Sequence, residues 1–517
     1  MAEPTPTPNL ETTKDAQSVT IKADNAASIT PSDDRPIVPL KWKLTSVFMC
    51  CLIGFGASWS ARLTSSMKST IKRELKINNT QFALLEASEE FMVTALMMIS
   101  GMVTDRIGGA GAMLYGNLIM TAGGFVVAGA ATGKSYKLMI LGRIIAALGD
   151  IATQIAQYKV FSSWFPPSAG FATTLGLELG ITRIGGFLGS STANIIAKNT
   201  GNFAWVYWIS VIVSIFTNVC TLVFYFFTKA ANKRFASSPD PATGEVLTEN
   251  NKKFEFRKVL QLPWVFWTIM IFSMVQTSCS NVFSQNATEL AEVRFGIDAV
   301  EAGWYASLSQ YAGFFLSPFI GAFIDIYGNR LTCMAVCGTG MLLSMALINW
   351  STTTGGAAAS YATYAIFKSF GPTTIIDGIR TCMWHQSVFG SAYAAKVTMN
   401  NATNILIRII TGVIQDADNN AYDRVTIVYV FLATASTAIS LTMVLASFYA
   451  TDLRILQYTR KQRIALGQFI NERKEKFHGV NGGINRLVSK VCMGALGVYV
   501  LGSWAAYFWG IATGNNG

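Results

Sequence analysis

Gly101-Met-Val-Thr-Asp105-Arg106-Ile-Gly108-Gly109 and Gly321-Ala-Phe-Ile-Asp325-Ile-Tyr-Gly328-Asn-Arg330 share one pattern, G-x-x-x-D-x-x-G. Each copy closes the second apolar segment of a block of six. A single copy of so short a pattern says little, but its return at equivalent points of two blocks says a great deal. Glycine lets two helices approach closely and supports a tight turn. The aspartate can accept hydrogen bonds from a neighbouring helix and loop, so Asp105, Arg106, Asp325 and Arg330 read as parts of a latch that holds in one state and releases in another.

Outward from these loops the chain is a succession of apolar runs. A bilayer-spanning helix needs about 20 mostly apolar residues. Such runs lie near 43–62, 86–104, 110–131, 138–161, 169–195 and 203–228, then near 264–285, 302–324, 330–350, 357–380, 389–414 and 424–450. The organisation read from them is a cytosolic disordered tail over 1–42, a six-helix bundle over 43–228, a polar cytosolic linker over 229–262, a second bundle over 263–450, and a basic amphipathic stretch with a thirteenth apolar run inside 451–517. That last run, 491–513, carries Gly494, Gly497, Gly502, Gly510, Trp504 and Trp509, which suit a packed transmembrane helix; an interfacial hairpin is the alternative.

Composition agrees with lipid as the solvent. The 517 residues are 51% hydrophobic and 13% charged, about half the charge of a soluble domain. The net charge of +11 is gathered in short blocks between apolar runs, which fits membrane orientation and argues against nucleic acid. The linker holds Lys229, Lys233, Arg234, Lys252, Lys253, Arg257 and Lys258, and the stretch after the twelfth run holds Arg454, Arg460, Lys461, Arg463, Arg473, Lys474 and Lys476. Both clusters place the N-terminus in the cytosol. The basic loop with Lys68, Lys72, Arg73 and Lys76 disagrees. Sequons at Asn78, Asn286 and Asn349 fall in far-side loops under this orientation and are candidate glycosylation sites; Asn401 lies mid-helix. Eight cysteines without metal spacing and two histidines argue against a metal centre or other cofactor. Nucleophile–base pairs and a Walker motif are absent, so neither an enzyme nor an ATP-driven pump is expected.

The repeated Gly/Asp loop in two six-helix halves resembles the signature of the major facilitator superfamily. Leu141-Gly-Arg143 in the fourth run is similar to that superfamily's Arg-bearing motif, whereas the Pro-bearing motif of drug exporters is missing from the fifth. A closer likeness, over about residues 43 to 450, is to the lysosomal dipeptide transporter branch. It rests on Leu141-Gly-Arg143, Ala156-Gln157, Trp164-Phe165, Leu175-Gly-Leu177, Arg183-Ile-Gly185, Leu262-Pro263, Ser317-Pro318 and Gly390-Ser-Ala-Tyr393 through Gly412-Val-Ile-Gln-Asp416. The resemblance implies an all-α membrane protein of two six-helix bundles around a cavity. It further implies a uniporter moving dipeptides or small peptides from the lysosome or vacuole lumen to the cytosol, with a glycosylated accessory subunit as a possible partner. The branch carries Glu where Ile151 stands, and aromatics where Glu86, Glu89 and Glu90 stand.

Ionisable residues inside a span usually face a cavity or a partner. Arg183 lies 14 residues into the fifth run, near the midplane; it reads as a fork for a substrate carboxylate or as one half of an ion pair with Asp150 or Glu178. Asp150 would take a substrate amine or a proton. Lys368, Asn400 and Asn401 would complete the binding set from the second half, and Arg408 reads as snorkelling toward the lumen. Glu86, Glu89 and Glu90 open the second run at i, i+3 and i+4 and are proton-coupling candidates, or simply a solvated helix end. Asp377 and Arg380, at i and i+3, read as a cytosolic gate pair. The competing functions are a proton-linked carrier of organic anions such as monocarboxylates, and a non-transporting membrane sensor.

Overall fold

The computed structural model describes residues 36, 38–165, 170–236, 260–383, 389–478 and 483–514. The first set of helices is α1 (Leu40–Ser66), the short α2 (Lys68–Leu75), α3 (Asn79–Ile107), α4 (Gly109–Thr132), α5 (Tyr136–Trp164), α6 (Phe171–Thr200) and α7 (Ala204–Arg234). The second is α8 (Trp264–Phe295), α9 (Ala299–Tyr327), α10 (Arg330–Trp350), α11 (Thr354–Lys368), α12 (Phe370–Cys382), α13 (Phe389–Ala417) and α14 (Asp423–Ser447). Short helices α15 (Thr451–Arg454), α16 (Arg460–Ala465) and α17 (Gly467–His478) lead to α18 (Gly483–Gly514). Residues 1–35 of the expected tail and most of the linker lie outside the described residues, whereas 40–42, expected to close the disordered tail, form the first residues of α1.

Among the described residues nine helices are long and apolar enough to cross a membrane. α3, α6 and α13 are equally long but carry Glu86, Glu89 and Glu90, Glu178 and Arg183, and Lys396 and Arg408 within their lengths. The tenth span is split into α11 and α12. Pro372 explains the break: it has no N–H to give the carbonyl of Lys368, so the ladder is interrupted where Lys368 sits.

The two sets meet along α6 against α9 and α3 against α13. At the first seam the contact is backbone to backbone. A Cβ on Gly176 would stand 2.2 Å from the carbonyl oxygen of Ser317, and one on Gly321 would stand 2.3 Å from that of Ala172. Gly176 and Gly180 of α6 thus pack on the other set, while Gly185 and Gly189 pack on α1. In both signature loops the last glycine has positive φ, 92° at Gly108 and 71° at Gly328, a conformation that L side chains rarely adopt.

α18 is one helix of 32 residues. It lies along the second seam and touches both sets. Trp504 Nε1 donates to Thr94 Oγ1 of α3 at 2.8 Å, and Tyr499 OH bonds Thr403 Oγ1 of α13 at 3.0 Å. Phe91 of α3 stacks on Tyr507 at 4.8 Å, and Gly510 seats between Leu84 and Ile409.

Candidate functional site

Between the two sets lies a cavity of about 240 Å³, lined by Arg62 and Ser58 of α1, Thr182 and Arg183 of α6, Gln276 and Ser280 of α8, Gln310 of α9, and Lys368 with Pro372 at the broken span. Its lining holds three cations and no Asp or Glu. Each cation is held by a neutral partner. Arg62 donates to Ser284 Oγ at 2.8 Å, Arg183 to Gln310 Oε1 at 2.8 Å, and Lys368 to Tyr364 OH at 2.6 Å. Gly313 leaves room for the Arg183 stem, since a Cβ there would lie 2.5 Å from Arg183 Cγ. Three basic side chains gathered without a carboxylate have the chemistry to suit an anion.

A second cavity of about 340 Å³ adjoins the first, for Thr277 and Asn281 of α8 line both. Asp150, Glu89, Glu90, Arg143, Lys396, Asn400, Asn401 and Tyr393 line it. Asp150 accepts from Gln154 at 2.8 Å, and Lys396 lies over the Tyr393 ring at 5.5 Å. Cationic and acid-bearing spaces are thus neighbours that share Thr277 and Asn281 of α8.

Contacts join the two sets at both ends of the protein. At the end bearing the signature loops, Asp325 Oδ2 accepts from Thr173 N at 2.8 Å and Thr173 Oγ1 at 2.6 Å. Thr173 is in the first turn of α6, so Asp325 caps that helix from the opposite set. Tyr158 meets Tyr393 and Phe171 meets Phe389 edge to face, with the Arg380 guanidinium over both Phe rings. At the other end Asp416 of α13 caps α3 in the same manner, accepting from Asn79 N at 3.1 Å, Thr80 N at 2.9 Å and the Thr80 hydroxyl. Beside it Glu289 of α8 receives Lys68 Nζ at 2.7 Å, Lys72 Nζ at 2.6 Å and Tyr422 OH at 2.6 Å. Further out on α2, the ammonium of Lys134 donating to Glu74 at 2.8 Å holds that carboxyl below the usual range.

Several sequence expectations are corrected. Arg183 pairs with neither Asp150 nor Glu178: Asp150 lines the other cavity, and Glu178 is buried against Gly54 of α1. Asp377, expected to pair with Arg380, pairs with Arg330 at 2.5 Å, and the Arg380 guanidinium lies over the Phe171 and Phe389 rings instead. Arg408 does not snorkel; it reaches Glu86 at 3.2 Å and Glu90 at 2.5 Å on α3. α3 starts at Asn79, so the three glutamates lie inside the helix rather than at its opening. Asn286 is within α8, which runs ten residues past the expected end to Phe295, and its side chain is taken by Tyr429 and Lys68. Asn349 is in the last turn of α10 and accepts from Thr426, while Asn78 caps α3. Two lysines of the dissenting basic loop, Lys68 and Lys72, pair with Glu289. The side chains of Asp105 and Arg106 lie outside the described residues. Arg62, Gln310 and the break at Lys368 were not anticipated as site features; an arginine near the end of a first span was the available signal.

Residues 49–407 match the sequence profile described as Major Facilitator Superfamily. The chain is similar to proteins named lysosomal dipeptide transporter MFSD1. It is 23% identical to that of Bos taurus over 73% of this chain and 80% of the relative, and 22% identical to that of Mus musculus over 73% and 81%. Among solved structures, the proton:xylose symporter XylE bound to 6-bromo-6-deoxy-D-glucose aligns with TM-score 0.61 and 11% identity, covering 78% of this chain and 96% of that one. FucP in its outward conformation aligns with TM-score 0.55 and 14% identity, covering 78% and 99%. Two six-helix sets, paired Gly/Asp loops and the match over most of both bundles lead to one conclusion: the chain is a multi-pass membrane transporter belonging to the major facilitator superfamily.

Proposed function

We propose that this transporter moves dipeptides and similarly small peptides by alternating access, from the lumen of a lysosome or vacuole to the cytosol, with the signature-loop end facing the cytosol. The observation that carries the reading is the cavity ringed by Arg62, Arg183 and Lys368 without a carboxylate, set beside one that offers Asp150. A dipeptide presents one carboxylate and one ammonium a few bonds apart. The guanidinium of Arg183 offers the carboxylate a planar fork, Lys368 reaches it from the other set, and Asp150 faces the ammonium across α8, with Asn400 and Asn401 as neutral donors and acceptors. The relatives named as dipeptide transporters support the same substrate class.

Motion follows from the two trans caps. Opening toward the cytosol separates Asp325 from Thr173; opening toward the lumen separates Asp416 from Asn79 and Thr80. With both caps intact the two sets are joined at each end, an arrangement compatible with an intermediate of such a cycle.

The test is uptake into proteoliposomes of a panel of dipeptides, N-acetylated dipeptides, peptide amides and monocarboxylates. Dipeptides are expected to enter and the singly blocked forms to fail. Entry of monocarboxylates with exclusion of dipeptides would replace this reading with an organic-anion carrier, which the surplus of cations in the first cavity would accommodate. Binding without uptake would point to a sensor.

A further inference from the structure

A cavity of about 290 Å³ lies within the first set of helices, beside the first signature loop, and shares no residue with the two central cavities. The turn at Gly108 and the first residues of α4 form one wall, and Thr228, Lys229 and Lys233 of α7 form the other. No Asp or Glu lines it. Lys229 lies over the Tyr225 ring at 5.9 Å, and neither lysine pairs with a carboxylate among the described residues. No side chain caps the start of α4, and its first turn holds no acid. The first N–H groups of a helix have no partner inside it. Those of Gly109, Ala110 and Gly111 therefore add partial positive charge to a wall that already carries two ammonium groups.

A second observation concerns Thr228. Earlier in the same helix, the hydroxyls of Thr217 and Thr221 donate to carbonyls one turn back, at 3.0 and 2.8 Å. Thr228 is 1% exposed and belongs to the cavity wall, yet its Oγ1 has no partner among the described residues. A buried hydroxyl without a partner is rare and costly. An anion lodged between α4 and α7 would give it an acceptor.

The third observation comes from the repeat itself. Gly328 stands in the second signature loop where Gly108 stands in the first, and the turn after it is filled by this chain's own acceptors. Asn329 N donates to Gln457 O at 3.5 Å, and Arg330 Nη1 donates to Leu456 O at 3.4 Å. The carbonyl oxygen of Tyr458 lies where a Cβ on Gly328 would come within 2.1 Å of it. In the second set, then, carbonyl oxygens of residues 456–458 occupy the start of α10. In the first set the corresponding start, that of α4, faces the cavity, and α7 runs on as helix to Arg234, bringing lysines in place of carbonyls.

We propose that the cavity between α4 and α7 binds the phosphomonoester headgroup of an anionic membrane lipid, held by Lys229, Lys233, the Thr228 hydroxyl and the N–H groups that open α4. The charge matches: two ammonium groups and a helix start face a group that carries about −1.5 to −2 near neutral pH. The surroundings favour a lipid over a free phosphate. Leu222 and Phe226 precede Lys229 and Lys233 on one stripe of α7, at helical spacings of four, three and four, and are 45% and 59% exposed. Ile107, at the mouth, is 54% exposed. Acyl chains laid along this stripe cover it while the headgroup fills the cavity. The bound phosphate completes the start of α4 as the carbonyls of residues 456–458 complete that of α10.

The experiment uses the purified full-length protein and native mass spectrometry, with phosphatidic acid as the probe. Phosphatidylserine serves as an anionic lipid without a phosphomonoester, and glycerol 3-phosphate as the soluble headgroup. The wild type is expected to retain phosphatidic acid in preference to phosphatidylserine, and glycerol 3-phosphate is expected not to displace it. Lys229→Gln with Lys233→Gln should lower retention by about tenfold or more, the factor that belongs to a hydrogen bond with a charged group. Thr228→Val should weaken retention while leaving the Tm unchanged or higher, since a methyl replaces an unpartnered hydroxyl; that variant separates loss of the site from loss of the fold. Phosphatidic acid should raise the Tm of the wild type and not that of the double variant. Equal retention by the wild type and the double variant overturns the proposal. Equal retention of the two lipids overturns the phosphomonoester assignment, and displacement by glycerol 3-phosphate overturns the lipid in favour of a soluble phosphate ester. None of these outcomes bears on dipeptide uptake, so the transport reading stands or falls separately.

Discussion

Asp325 caps α6 from the opposite six-helix set, accepting both the amide and the hydroxyl hydrogen of Thr173. Asp416 does the same for α3 at the other end, through Asn79 and Thr80. In the proposed alternating-access cycle, each cap completes a helix N-terminus only while its end of the protein is shut. Loss of a helix cap costs about 0.5–2 kcal/mol, so Asp325→Ala should shift the population toward the state open at the signature-loop end by roughly 2- to 30-fold. Asp416→Ala should shift it the other way. Spin-label distances across each end, measured in nanodiscs, check both directions; equal distributions in the two variants would show that the caps do not govern the equilibrium.

Arg183→Ala should raise the KM for dipeptides by about 10- to 100-fold, since hydrogen bonds to charged groups contribute about 1.5–3 kcal/mol. Selectivity between a dipeptide and its C-terminal amide should fall by the same factor, because the fork that reads the carboxylate is gone. Gly313→Ala should reproduce part of the loss without touching the charge, by displacing the Arg183 stem. Concentration-dependent uptake with both substrates measures the two effects together.

Arg330 and Asp377 are both fully buried, at 2.5 Å from each other. Removing one partner strands a charge and should cost about 3–5 kcal/mol. Asp377→Ala should therefore lower the Tm in detergent markedly, whereas the double change Arg330→Met with Asp377→Leu should recover most of it. A single variant as stable as the wild type would mean that the pair is dispensable.

Because α18 runs the full length of a span against α3 and α13, a C-terminal tag should be accessible from the side opposite to an N-terminal one. Deletion of residues 483–517 should lower the Tm, since Phe91, Leu84 and Ile409 lose their cover. Protease protection of the two tags in sealed vesicles decides the topology; tags cut from the same side would leave α18 in the interface.

Much of this architecture was legible in the sequence because lipid imposes a simple rule on every span. The Gly101–Gly109 and Gly321–Arg330 loops marked the two halves, and Arg183 stood out as a charge near mid-span. What escaped was everything decided by burial inside protein rather than in lipid. The apolar run of α1 ends at residue 62, yet the helix continues through Thr64, Ser65 and Ser66, which are buried, and Arg62 lines the first cavity. α3 began early for the same reason, its first turn being capped by Asp416 from the other half. Pairings were less legible still. Glu86 meets Arg143 on its own side and Arg408 from beyond the linker, and no spacing rule relates those positions.

The placement of α18 has one more consequence. Two matched bundles would present the bilayer with two equivalent flanks, one along α6 and α9 and one along α3 and α13. An outrigger bolted to the second flank makes them unequal. In the proposed cycle, rocking of the bundles would either drag this helix or slide beneath it, so bilayer tension and lipid composition would act through one side of the molecule more than through the other.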